Sequence, residues 1–161
     1  MTNAHDFTFT KLASKDALPL ADYAGKAVLV VNVASACGLT PQYRDLEALY
    51  EAKAKKGLVI LGVPCNDFGA QESASEEDIG AFCDTRYHVT FPMTGKVEII
   101  GADKRHPFYK WIADELGDTQ LPRWNFHKYL IGKDGALVES FGSKEAPLSP
   151  EIVSAIDKAL A

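Results

Sequence analysis

The sequence has no apolar run approaching the roughly 20 residues that a membrane span requires. Its opening stretch, MTNAHDFTFTKLASKD, has no basic segment followed by an apolar one. A cytoplasmic protein without membrane association is therefore expected. Runs of Lys or Arg are missing too. Seventeen basic residues set against 22 acidic ones leave a formal charge of −5, which supplies no electrostatic footprint for nucleic acid or an anionic membrane. Small neutral substrates or protein partners fit better. Cysteine is scarce: there are three in 161 residues, none in a Cys-x-x-Cys pair. An odd count in a chain of intracellular type argues against a disulfide framework and leaves metal binding or thiol chemistry. The four histidines, His5, His88, His106 and His127, lack the short mutual spacings of a zinc site. No metal and no other cofactor is expected.

What is present suits one compact domain over residues 1–161, since 47% of the chain is hydrophobic and a core can form without staples. The run Ala27-Val28-Leu29-Val30-Val31-Asn32-Val33-Ala34 is nearly all apolar and rich in β-branched residues, as for a strand covered on both faces. Apolar residues at Tyr43, Leu46, Leu49, Tyr50 and Ala54 then follow a helical period that stops at Gly57. A second buried strand, Leu58 to Val63, completes a strand–helix–strand unit whose strands should be parallel. A helix is predicted from near Ser73 or Ser75, with Glu76, Glu77 and Asp78 at its positive end. Another is predicted over about His106 to Leu116. Phe126 to Gly132 and Ala136 to Gly142 form a predicted hairpin about Gly132-Lys133-Asp134-Gly135, and Ser149-Pro150-Glu151 caps a final helix. The fold class is α/β, with a central mixed sheet flanked by helices, an order compatible with a thioredoxin-like fold.

Cys37 falls in the turn between the first buried strand and its helix, at the carboxyl end of a strand, where ligand sites of open α/β sheets concentrate. If it stands at or just before the helix N-terminus, free N–H groups and the helix dipole favour thiolate, and such settings lower a cysteine pKa from about 8.5 to roughly 3.5–7.5. The alternative is a buried, inert cysteine.

Asn32-Val33-Ala34-Ser35-Ala36-Cys37-Gly38-Leu39-Thr40 with Gln42-Tyr43 closely resembles the active-site motif of the glutathione peroxidase family, whose reactive position holds selenocysteine or cysteine. Leu61 to Glu72 resembles its second motif, and Trp124-Asn125-Phe126-His127-Lys128-Tyr129-Leu130 its third. The resemblance implies a thioredoxin-like fold and a catalytic tetrad of Cys37, Gln71, Trp124 and Asn125. The last three all carry N–H donors able to stabilise a thiolate and the charge on a departing oxygen. It implies reduction of hydrogen peroxide and organic or lipid hydroperoxides through a Cys37 sulfenic acid. Cys83, in Phe82-Cys83-Asp84-Thr85-Arg86-Tyr87, matches the resolving cysteine of thioredoxin-dependent members.

The helical pattern puts Cys83 one turn beyond Ile79 on an apolar face, so it is expected to leave a helix that Gly80 weakens by about 1 kcal/mol relative to Ala. Cys65 is expected to have no chemical role. Two departures stand out: Asp67 where many members have Gln, and Ser73-Ala74 where many have Pro-Gly. They bear on loop stiffness and local charge. The segment from Trp111 to Trp124 lacks the longer insertion that resembles an assembly element in tetrameric family members, and no cluster of arginines suggests a glutathione carboxylate site. The resemblance therefore implies a monomer reduced by thioredoxin, with glutathione as the other possible reductant. A peroxide sensor passing its oxidation to a partner thiol is the rival reading. A disulfide oxidoreductase of thioredoxin type would need a second cysteine where Thr40 stands.

Overall fold

In the computed structural model, which describes residues 3–161, the two apolar runs form the centre of the sheet. The elements in chain order are β1 (Thr8–Thr10), β2 (Ala17–Pro19), β3 (Ala27–Val33), α1 (Gln42–Lys53), β4 (Leu58–Pro64), α2 (Glu76–Phe82), α3 (Pro107–Leu116), β5 (Lys128–Ile131), β6 (Leu137–Phe141) and α4 (Pro150–Leu160). A single π-helical turn, Cys83–Tyr87, extends α2. Every residue of β3 and β4 is buried. They pair in parallel from Ala27↔Leu58 to Val33↔Pro64. Strand β5 pairs antiparallel with the other side of β3, and β6 closes the edge, giving the order β4-β3-β5-β6. This is the mixed sheet expected from the sequence.

The period of two along the strands sorts the side chains into two cores. Val28, Val30, Val59, Leu61 and Val63 pack against Phe108, Tyr109 and Ile112 of α3. Leu29, Val31, Val33, Leu58 and Ile60 pack against Tyr43, Leu46 and Leu49 of α1 and Ile152 and Ile156 of α4. Each such side chain taken fully out of water contributes about 1.5–3 kcal/mol. Both faces of the sheet are therefore covered, which is why β3 and β4 read as continuous apolar runs.

Local signals place the helix ends. Ser75 accepts a hydrogen bond from Asp78 N and Ser149 one from Ile152 N, each satisfying a free first-turn donor. Gly57, at φ +108°, makes the left-handed stop after α1 and a short 3-10 turn. The antiparallel β1–β2 hairpin and the π-helical turn lie outside the sequence expectation.

Candidate active site

The loop from Ala34 to Pro41 carries Cys37 out of β3. Thr40 holds it closed. Its hydroxyl donates to Ala34 O at 2.9 Å and accepts from Cys37 N at 2.9 Å, and Thr40 N donates to Cys37 O at 3.0 Å. Helix α1 begins only at Gln42, so Cys37 lies a full turn ahead of the helix rather than at its N-terminus. The sulfur accepts instead from Leu39 N at 3.3 Å. Cys37 is 9% exposed, at the rim of the core.

The segment after β4 is stitched to this loop by consecutive residues. Ala36 N donates to Gln71 O at 3.1 Å, and Ser35 N donates to Glu72 Oε1 at 3.0 Å. Asn66 Oδ1 accepts from Glu72 N at 2.9 Å, closing the intervening turn. Asp67 folds it from the other side, accepting from Ile99 N and Ile100 N. Gly69 sits at φ +69° with the Trp124 ring against it, so that a Cβ there would come within 2.6 Å of the indole. Only glycine fits.

The third segment crosses over from β5. Asn32, the one polar residue within β3, clamps it: Asn32 Nδ2 donates to Trp124 O at 3.0 Å, and Phe126 N donates to Asn32 O. Phe126 turns through φ +68°. Asn125 is fully buried, and its Nδ2 donates to Phe68 O at 3.3 Å and to Gln71 Oε1 at 3.0 Å. The Phe68 carbonyl can only accept, which fixes the orientation of the Asn125 amide. That in turn makes the facing Gln71 atom an oxygen and leaves the Gln71 Nε2 hydrogens for other acceptors. Trp124 is 37% exposed and meets Phe68 edge to face. Three segments distant in sequence thus converge about Cys37.

The family model described as glutathione peroxidase matches residues 4–113. A hydroperoxy fatty acid reductase of Synechocystis sp. is 48% identical over 153 residues, covering 94% of this chain and 97% of the relative. The thioredoxin/glutathione peroxidase BtuE of Escherichia coli is 36% identical, with 96% of each covered. The solved structure of Trgpx in its apo form superposes with a TM-score of 0.78 at 39% identity, covering 99% of this chain and 95% of that one. The chain belongs to the glutathione peroxidase family. It is a peroxidase with cysteine, not selenocysteine, at the reactive position of the family motif, and its fold is thioredoxin-like.

The other two thiols of this peroxidase lie on opposite sides of the sheet. Cys83 is 3% exposed and shares the core that holds Cys37, Tyr43, Ile79 and Phe126. It opens the π-helical turn, a local register shift that often accompanies functional sites. Burial pushes its thiol up to about 11, with the Tyr43 hydroxyl partly offsetting the effect and the negative charge of Glu72 adding to it. Cys65 is fully buried in the core on the other face, and burial pushes its thiol up to about 12.

A stability measurement follows from Cys65. An unfolded cysteine ionises near 8.5, so this thiol's contribution is fully present below that pH and is lost as pH rises through the folded value of about 12. Between these limits the unfolded state binds fewer protons than the native one. Stability should fall by about 1.4 kcal/mol per pH unit for one such group. Urea unfolding of wild type and Cys65→Ala between pH 9 and 11 should show the variant losing stability less steeply by about that slope. Parallel curves would mean that Cys65 ionises in the folded protein.

Among the described residues no group of three or more His, Cys, Asp or Glu is placed to hold a metal ion, and no helix is long and apolar enough to cross a membrane. Two roles in this geometry lay outside the sequence reading. Asn32 clamps the third segment, and its signal was a lone polar residue in an otherwise apolar strand. Glu72 is buried at 1% exposure, and nothing local to a loop sequence announces that.

Proposed function

We propose that this peroxidase reduces hydrogen peroxide and organic or lipid hydroperoxides by a two-cysteine cycle in which Cys37 attacks the peroxide and Cys83 resolves it. The observation that carries the reading is the partition of thiols by the sheet: Cys37 and Cys83 share one core, and Cys65 is shut into the other. The Cys37 thiolate attacks one oxygen of the peroxide, the O–O bond breaks, and the departing hydroxide or alkoxide takes up a proton. Cys37 is left as a sulfenic acid.

Gln71 Nε2 and Trp124 Nε1 are the donors for the thiolate and the leaving oxygen. Asn125 acts behind them, since both of its amide contacts are spent on Phe68 O and Gln71 Oε1 and hold the Gln71 amide with its N–H end free. Donors fixed before the charge develops need no reorganisation when it does. Trp124, being partly exposed, presents an apolar face to the alkyl part of a bulky hydroperoxide. The name of the Synechocystis relative, a hydroperoxy fatty acid reductase, supports that substrate class.

Condensation of the Cys83 thiol with the sulfenic acid gives a disulfide and water, and a reduced dithiol protein returns both thiols by exchange. Thioredoxin is the reductant of this reading. The naming of BtuE as a thioredoxin/glutathione peroxidase supports it. The test is NADPH-coupled reduction of hydrogen peroxide and of a phospholipid hydroperoxide by the wild-type chain. One arm contains thioredoxin with its reductase, the other glutathione with its reductase. Sustained turnover of both peroxides with thioredoxin is expected, with glutathione much the slower reductant. Faster turnover with glutathione would overturn the choice of reductant, and a phospholipid hydroperoxide left intact would remove lipids from the substrate range.

A further inference from the structure

One buried charged group has no part in the cycle as described. Glu72 Oε1 accepts from Ser35 N at 3.0 Å, but its Oε2 is sealed from solvent with no hydrogen-bond partner among the described residues. A buried polar atom left unpaired is costly and so calls for a reason. The fully buried Tyr43 hydroxyl on α1 is a second such atom. It borders the Cys83 thiol. The negative charge of Glu72 acts on both the Cys83 thiol and the Tyr43 hydroxyl. Phenol and thiol share the core that holds Cys37, and the carboxylate is tied to the Cys37 loop through Ser35 N.

The Ser35 hydroxyl, buried and without a partner within hydrogen-bond distance among the described residues, also acts on Glu72 and lowers its proton affinity. Tyr87 packs on Tyr43 with ring centroids 5.5 Å apart. Lys96, whose Nζ donates to Ala74 O at 3.0 Å, is the cation that acts on Glu72.

We propose that Glu72 is the general base of the resolving step, its free Oε2 taking the proton of the Cys83 thiol while the Tyr43 hydroxyl donates to the emerging thiolate. The proposal rests on Cys83 being the resolving cysteine. In the step the Cys83 S–H bond breaks and its proton passes to Glu72. The Cys83 sulfur attacks the Cys37 sulfur, an S–S bond forms, and the Cys37 S–O bond breaks with its electron pair leaving on hydroxide. Glu72 then returns the proton, and water departs. Cys83 is oxidised, the sulfenic sulfur is reduced, and the carboxylate ends as it began.

Two features suit Glu72 to this. Burial raises its proton affinity above that of an ordinary carboxylate, which narrows the gap to a buried thiol. Its anchors, Ser35 N and Asn66 Oδ1, belong neither to α2 nor to the π-helical turn. It therefore stays in place when the Cys83 segment unwinds. Ser35 also lies two residues ahead of Cys37, so a Cys83 that reaches Cys37 reaches Glu72 as well.

The experiment is rapid mixing of the reduced protein with one equivalent of hydrogen peroxide, followed by quenching with a thiol alkylator and mass spectrometry. Cys37 sulfenic acid and the Cys37–Cys83 disulfide are followed separately. Glu72→Gln keeps an acceptor for Ser35 N and should oxidise Cys37 at the wild-type rate. Its disulfide should form about 100-fold more slowly, within the range a general base contributes. That residual rate should climb with pH as hydroxide replaces the carboxylate. Tyr43→Phe removes a hydroxyl with no partner among the described residues besides the Cys83 thiol, so the fold should lose little. It should slow the same step roughly tenfold, as for one hydrogen bond to a charged group.

Disulfide formation at the wild-type rate in Glu72→Gln overturns the proposal. So does a loss confined to Cys37 oxidation, which would make Glu72 a support of the loop. Should Glu72→Gln fail to fold, an unchanged disulfide rate in Tyr43→Phe is equally fatal. Wild-type protein that turns over without ever forming the Cys37–Cys83 disulfide would instead sink the resolving role of Cys83, and this proposal with it.

Discussion

Cys37→Ser is expected to lower peroxide reduction by roughly 10⁴-fold or more, the scale on which enzymes lose their nucleophile, with no loss of fold. A serine oxygen can occupy the sulfur's position and accept from Leu39 N as the sulfur does. Its hydroxyl, however, stays protonated at neutral pH, and no base lies in the loop to activate it. The remaining thiols cannot substitute. Cys83, pushed up to about 11, holds about one thiolate in 10⁴ at pH 7, and Cys65, pushed up to about 12, about one in 10⁵. Both are also buried away from substrate. The check is peroxide consumption in the thioredoxin-coupled assay beside a thermal melt of the same preparation. A Cys37→Ser protein that melts normally and keeps more than a trace of activity would show that the nucleophile is elsewhere.

The framework was legible where one physical constraint dominates. Strands β3 and β4 are buried on both faces, so their apolar runs admit little else. The β5–β6 hairpin turns about Gly135 at φ +85°, as the Gly132-Lys133-Asp134-Gly135 sequence suggests, and Ser75 and Ser149 cap the helices they precede. The β1–β2 hairpin was illegible because each strand has three residues and only Phe9 and Leu18 are buried. A period of two cannot be read from a single buried residue. The π-helical turn was hidden for a related reason, since it continues the helical pattern through Cys83 and differs in hydrogen-bond register only.

At the site, the order of the three motifs was enough to bring Cys37, Gln71, Trp124 and Asn125 together as candidates. The contacts each side chain makes were not visible. Sequence alone treats Asn125 as one more donor toward the sulfur, whereas its amide is committed to Phe68 O and Gln71 Oε1. The place of Cys37 was also shifted: Thr40 and Pro41 complete a turn before α1 starts, and an amide from that turn serves the sulfur. Cys65 continues the alternation of Val59, Leu61 and Val63, all of which face α3. Strand parity therefore separates it from Cys37, and nothing but the period of two is needed to see it.

Cys83→Ser is expected to leave the first turnover intact and abolish the rest. Mixed with hydrogen peroxide, the variant should consume one equivalent per chain at the wild-type rate and stop as a Cys37 sulfenic acid, because attack on the peroxide uses nothing from α2. The acid is then open to a 1,3-dicarbonyl probe and, with excess peroxide, to irreversible sulfinic acid. In wild type the same probe should find little, since Cys83 lies in the same core as Cys37 and needs only its own segment to move. That segment is poised to do so. Helix α2 is seven residues long with Gly80 inside it, and the turn carrying Cys83 is π-helical and ends at His88 with φ +51°. Such short, strained units open locally at small cost. Thioredoxin-dependent turnover should fall to background, while added glutathione restores a slow rate by attacking the exposed sulfenic acid directly. If Cys83→Ser instead turns over with thioredoxin as wild type does, the sulfenic acid is resolved from outside the chain. Cys83 is then a core residue, and its thiol, held up at about 11, is protonated for a structural reason alone.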